Sequence, residues 1–197
     1  MPNRIAEITR KTKETDIRVY VKLDGTGKTD VFTGVAFFDH MLDAFGRHGM
    51  FDLAVRTFGD TWVDAHHTVE DTGIVIGQAV ATALGDKMGI CRFADKTIVM
   101  DESLVMCAID ISGRGQLYWE MDVPIESINT FDTQLAKEFF VAFAANAGIS
   151  MHMLQLSGEN AHHLIEAAFK ACGRALREAV SIDPRASDSL PSTKGVL

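Results

Sequence analysis

The chain is short of three things, and each shortage excludes a class of protein. Cysteine occurs three times in 197 residues, as Cys91, Cys107 and Cys172. An odd, widely spaced set offers neither a disulfide framework nor a CxxC motif, so a reducing cytoplasm is the expected location. No apolar run approaches the ~20 residues of a membrane-spanning helix. The stretch MPNRIAEITRKTKET lacks the apolar segment of a secretory signal. Positive charge is scarce as well. The 19 Lys and Arg stand against 27 Asp and Glu, a net charge of −8 without a basic run, so neither nucleic acid nor a membrane is an expected partner. What remains is an ordinary globular balance of 47% apolar and 23% charged residues. That length suits one large domain or two small fused ones.

Periodicity gives the elements. Ile17, Val19, Val21 and Leu23 alternate with polar residues, and Asp24-Gly25-Thr26-Gly27 turns the chain into a second strand near Val31. Residues 37–45 predict a short helix, 51–58 a strand, and 64–84 a longer helix with Asp64 as its N-cap. The order then recurs. Strands are predicted over 97–111 and 116–122, a helix capped by Asp132 to about residue 146, a strand over 149–156, and a last helix over 161–180 stopped by Asp183-Pro184. The polar tail from Arg185 is expected to be loosely held.

Residues repeat along with the elements. Four of the seven histidines form two adjacent pairs, in His66-His67-Thr68-Val69-Glu70 and His162-His163-Leu164-Ile165-Glu166, both HHxxE. In the preceding helices Phe37, His40, Met41, Leu42, Ala44 and Phe45 lie over Leu135, Glu138, Phe139, Phe140, Ala142 and Phe143. The expected fold is therefore α+β, with duplicated ββαβα half-domains related by a pseudo-two-fold and sheets packed on helices. Residues 1–90 and 91–184 form the half-repeats, and 185–197 form a tail.

On a helix, residues four apart share a face, whereas the adjacent residue is rotated by ~100°. His66 with Glu70, and His162 with Glu166, can each chelate one metal ion, leaving His67 and His163 spare. The economical arrangement is an exchange, in which His67 completes the site of His162 and Glu166, and His163 that of His66 and Glu70. His40 and its repeat partner Glu138 can add a further ligand to each. His152, on a strand ten residues before His162, competes with Glu138 for that place. His48 is expected in a loop. Imidazole and carboxylate donors without thiolate argue for a catalytic Mn²⁺, Fe²⁺ or Co²⁺ rather than structural zinc.

Four segments carry a resemblance. Asp39-His40-Met41-Leu42, residues 64–71, residues 162–167 and Pro191-Ser192-Thr193-Lys194-Gly195 resemble the imidazoleglycerol-phosphate dehydratase family, and Leu23-Asp24-Gly25-Thr26-Gly27 agrees. The likeness runs from about Arg4 to Leu197. With no phosphatase-like segment ahead of it, the single-function form is expected. The resemblance implies dehydration of imidazole glycerol phosphate to imidazole acetol phosphate in histidine biosynthesis. It implies two Mn²⁺ per active site and a ribosomal protein S5 domain 2-like fold. It also implies a large cytoplasmic homo-oligomer, a 24-mer built from trimers, with metal sites between subunits. Many members carry His where this chain has Glu138, which leaves Glu138 and His152 as alternatives for the eighth ligand. The implied phosphate-binding residues are Arg92, Arg114, Ser192 and Lys194. Lys170 joins them because it follows Glu166 by one helical turn. Glu14 is the implied base, and His48 an additional substrate contact. The expected chemistry has the ring held between the metals as imidazolate and driving out the neighbouring hydroxyl, after which Glu14 removes a proton.

Overall fold

The computed structural model describes residues 4–197; Met1–Asn3, which open both the first expected half-repeat and the stretch read for a signal, lie outside the described residues. Strands β1 (Ile5–Lys11), β2 (Thr15–Lys22) and β3 (Thr29–Phe32) lead to α1 (Ala36–Gly49), β4 (Asp52–Gly59) and α2 (His66–Leu84). The second half follows with β5 (Phe93–Met100), β6 (Ser103–Asp110), β7 (Gln116–Glu120), the two-residue strands β8 (Ser127–Ile128) and β9 (Phe131–Asp132), α3 (Leu135–Ala147), β10 (Ser150–Ser157) and α4 (Ala161–Ala179). The sheets have the orders β1-β2-β4-β3 and β5-β6-β10-β7. In both, the last pairing is parallel and the others antiparallel. The same topology twice is the expected duplicated α+β fold, with one strand more in each four-stranded sheet than the sequence pattern gave and the short β8–β9 pair besides.

The extra strands have physical reasons. Strand β1 buries little beyond Ala6 and faces solvent with Glu7, Thr9 and Lys11, so its apolar alternation is weak. The predicted strand over 97–111 is two strands, β5 and β6, joined at Asp101-Glu102. No glycine marks that turn; Asp101 itself takes the left-handed conformation, φ 49°.

Apolar residues of β2, β4, β6 and β10 face inward onto the helices. Helix α2 lies on the first sheet and α4 on the second, while α1 packs on α4 and α3 on α2, so each half's first helix meets the other half's second. Phe38, Phe139, Phe140, Phe143 and Phe169 are fully buried among them, each worth about 2–3 kcal/mol on leaving water. Glycine permits the close crossings. A Cβ on Gly173 of α4 would stand 2.5 Å from the Phe45 carbonyl of α1, and one on Gly73 of α2 would stand 2.8 Å from the Phe139 carbonyl of α3.

Three local expectations change. Asp64 and Asp132 are not N-caps; Ala65 and Gln134 hold those positions. Their carboxylates instead accept the His66 and Gln134 N–H groups at 2.7 and 2.9 Å, in turns just ahead of each helix. His48 lies in the last turn of α1, not in a loop, because the helix continues until Met50 turns left-handed at φ 58°. The tail is docked rather than loose. Gly89 N–H donates to Ser189 O at 2.9 Å, and the Arg92 guanidinium donates to Pro191 O at 2.8 Å.

Candidate active site

The crossing of α1 and α4 assembles one group. Glu166 Oε2 lies 3.1 Å from His162 Nε2 and 3.3 Å from His40 Nε2. Its other oxygen takes the Lys170 ammonium at 2.6 Å. His40, His162 and Glu166 present one donor atom each within 4.8 Å of one another, a geometry that can hold a metal ion. The Glu166 side chain is only 9% exposed. Burial pushes its pKa up, but Lys170 and His40 outweigh burial and hold it below the ordinary carboxylate value. Phe37 packs edge-on against the His162 ring, centroids 5.0 Å apart.

The equivalent group on α2 is open. His66 Nε2 stands 3.6 Å from Glu70 Oε2, and both side chains are over 40% exposed. Across a cavity of about 570 Å³ lies Glu138 of α3, which lines it together with His66, Asp64 and Gly34. The helix crossings thus bring His40 to the second half's HHxxE and Glu138 to the first half's.

Neither spare histidine joins a clamp of its own chain. His67 Nδ1 is 3.1 Å from both Asp60 oxygens. His163 Nδ1 is 2.8 Å from Glu102 Oε2. Hydrogen bonding to Asp60 raises the His67 pKa, with the nearby Glu14 carboxylate adding to the effect, and Glu102 raises that of His163 in the same way. Glu102 is correspondingly held down at about 2, first by His163 and then by the Asn160 N–H. The sequence reading missed both carboxylates. Each sits in a loop that the fold brings beside an HHxxE helix, at Gly59-Asp60 and Asp101-Glu102, and for Glu102, 61 residues from His163, no local signal marks the pairing.

His152 lies apart from both clamps. It points from β10 to the outer face of the second sheet, opposite the helices, where its ring stacks on Tyr118 at 4.4 Å. Arg114 lines the same hollow. Glu14 is exposed at the β1–β2 turn, and its backbone carbonyl accepts the Asp60 N–H at 3.1 Å. Half-buried His48 is held below its ordinary pKa, by burial first and then by Lys170 and Arg174.

The cations named for phosphate fall into two groups. Lys170 sits beside Glu166, with Met100 Sδ at 3.5 Å, at the end of β5. Arg92 precedes the start of β5, where Asp110 grips it at 2.7 and 3.3 Å and stands 4.0 Å from Arg114. The eight residues of β5 lie between the two groups. Ser192 and Lys194 belong to the Arg92 end: the Ser192 hydroxyl donates to Val196 O at 2.8 Å and accepts the Lys194 N–H at 3.2 Å, and the Leu197 terminus abuts Gly113.

A buried carboxylate shared by two imidazoles, with an open twin in the other half, defines a histidine–carboxylate site able to hold a metal ion on a duplicated α+β scaffold. The comparisons give the particular family. The imidazoleglycerol-phosphate dehydratase family profile matches residues 33–176. The imidazoleglycerol-phosphate dehydratases of Jannaschia sp. and Roseobacter denitrificans are 55% and 57% identical over 194 residues, 98% of this chain and all of theirs. The crystal structure of the Staphylococcus aureus enzyme superposes with a TM-score of 0.82 at 37% identity, covering 91% of this chain and 99% of that one. The Pyrococcus furiosus structure gives 0.83 at 37%, covering 96% and 100%. The chain belongs to the imidazoleglycerol-phosphate dehydratase family and is a carbon–oxygen lyase of histidine biosynthesis. No helix among the described residues is long and apolar enough to cross a membrane.

Proposed function

We propose that the chain dehydrates D-erythro-imidazole glycerol phosphate to imidazole acetol phosphate, using two Mn²⁺ per active site in a cytoplasmic homo-oligomer. The observation that carries this reading is the preformed His40–His162–Glu166 group, whose donors suit a metal with no thiolate present. His66 and Glu70 hold the second ion, and Glu138 is the donor this chain brings beside them. When bound, the ions supply Lewis acidity to the substrate's imidazole ring.

The chain's own groups do the rest. Glu14 takes the proton from the carbon next to the one that loses hydroxyl; water departs, and the resulting enol tautomerises to the ketone. Lys170 neutralises Glu166 and faces the substrate together with His48. Arg92, Arg114, Ser192 and Lys194 receive the phosphate, and residues 185–197 act as its strap over half-repeats 1–90 and 91–184.

The placing of these cations at opposite ends of β5 supports a shared site. One chain does not bring Lys170 and Arg92 to one small substrate, and a neighbouring subunit does. His67 and His163, spare in their own chain, suit the same assembly as donors to a neighbour. The outer face of the second sheet, with Val99, Leu104, Met106 and Leu154, offers apolar surface for it.

Elemental analysis beside an assay on imidazole glycerol phosphate, before and after chelation, tests the reading. The expected result is two ions per chain, loss of ketone formation on stripping, and its return with Mn²⁺. Full activity with substoichiometric metal overturns the two-ion site.

A further inference from the structure

The two halves treat their spare histidines alike, by different means. In the first half the partner of His67 is Asp60, from the loop between β4 and α2. In the second half the partner of His163 is Glu102, from the β5–β6 turn. The repeat would lead one to expect equivalent partners. Position 159, the counterpart of Asp60, is Glu159, and the counterpart of Glu102 is Glu14, each hairpin glutamate preceding a buried hydroxyl residue, Ser103 or Thr15. Both halves therefore carry a carboxylate at both places, and each half uses a different one.

An ionised carboxylate only accepts hydrogen bonds. A histidine whose Nδ1 meets one must carry a hydrogen there, so in the neutral ring Nε2 keeps a free lone pair. His67 Nε2 has no hydrogen-bond partner among the described residues, and His163 Nε2 has Asp101 Oδ2 only at 3.7 Å, beyond hydrogen-bond range. We propose that Asp60 and Glu102 are matched positioning residues: each fixes one spare histidine as the Nδ1–H tautomer and aims its Nε2 as a metal donor. This rests on the metal-site reading above and adds the groups that prepare its donors. Second-sphere carboxylates of this kind orient imidazole ligands and raise their basicity. A consequence follows for the base. Among the described residues the Glu14 carboxylate makes no ion pair or hydrogen bond, because Asp60 has taken over the role that its counterpart Glu102 performs. Only one of two equivalent hairpin glutamates is left free for proton transfer.

The test uses metal-stripped full-length protein, with Mn²⁺ alone as the probe. Glu102→Ala, in an exposed turn, and Asp60→Ala are each expected to weaken Mn²⁺ binding about 10- to 100-fold, measured by competition with a chelator. His67→Gln and His163→Gln serve as controls and assign the resonances. In ¹⁵N spectra of histidine-labelled protein at alkaline pH, His67 and His163 are expected as Nδ1–H tautomers, and each alanine variant is expected to abolish that preference at its own histidine only. A merely structural carboxylate would not move this signal. Weakened Mn²⁺ binding in the histidine variants with none in the Asp60 and Glu102 variants overturns the inference and spares the metal reading. Unchanged binding in all four overturns both.

Discussion

The two halves share a topology and differ in how each secures its clamp. In the second, Glu166 is buried between His40 and His162, with Lys170 on its far oxygen. In the first, His66 and Glu70 stand open, and the position equivalent to Lys170 is Ile74. The first half is tied elsewhere: buried Asp71 accepts the Thr15 hydroxyl at 2.5 Å and pairs with Arg10 at 2.6 Å, joining α2 to the hairpin that carries Glu14. Its counterpart is Ala167. The outer sheet faces diverge as well. The first carries ion pairs such as Arg18–Glu7 and Arg56–Asp30, where the second carries Val99, Leu104 and Met106. The two halves thus share the topology and the HHxxE positions, while the anchoring of each clamp and each outer surface differs.

Breaking the asymmetry at its most consequential point gives the largest effect. Glu14→Gln is expected to lower kcat by about 10²- to 10⁴-fold while the bound metal stays constant, measured by steady-state assay beside elemental analysis. Near-normal turnover would remove Glu14 from the mechanism. Next comes the contrast of the clamps without metal. Glu166→Ala strands Lys170 and is expected to cost about 2–3 kcal/mol in urea unfolding, whereas exposed Glu70→Ala should stay within about 0.5 kcal/mol. Equal losses would erase the distinction between a buried and an open clamp. Asp71→Asn is expected to cost about 2 kcal/mol, and Ala167→Ser in the other half close to nothing.

The smallest effect concerns pH. At the start of β4, Asp52 accepts the Thr26 and Lys28 N–H groups at 2.7 and 3.2 Å, and the Thr26 N–H above all holds its pKa below 3.8. At the matching start of β10, Ser150 donates to Arg114 O at 2.9 Å. A carboxylate with a depressed folded pKa stabilises fully above its unfolded value. That contribution disappears as pH falls through the folded one. Asp52→Asn is therefore expected to cost no more than about 1 kcal/mol at pH 7, given solvent screening, and nothing once the pH is well below 3.8. Ser150→Ala should show no such acid dependence in the same titration.

Much of this architecture was legible in the residue order. The doubled HHxxE and the aligned preceding helices gave the duplication, because helix periodicity and i,i+4 chelation are local properties. The β5–β6 turn was not legible, since it lacks the glycine or proline that marks a reversal. Nor were the partners of His67 and His163, which are set by contacts between separate loops and helix starts. His152 shows the limit from the other side: ten residues from His162 in the chain, it lies across the sheet from the helices because strand residues alternate faces.

By itself the sequence determined the repeat and the family and named candidate metal donors, for these follow from residue type and spacing. Only the tertiary structure decided that α1 crosses α4, so that one clamp is complete and buried while the other is open. It alone placed Arg92 at one end of β5 and Lys170 of α4 beside the other. The reason is packing: glycines at the helix crossings set how closely backbones approach, and that distance decides which distant side chains meet.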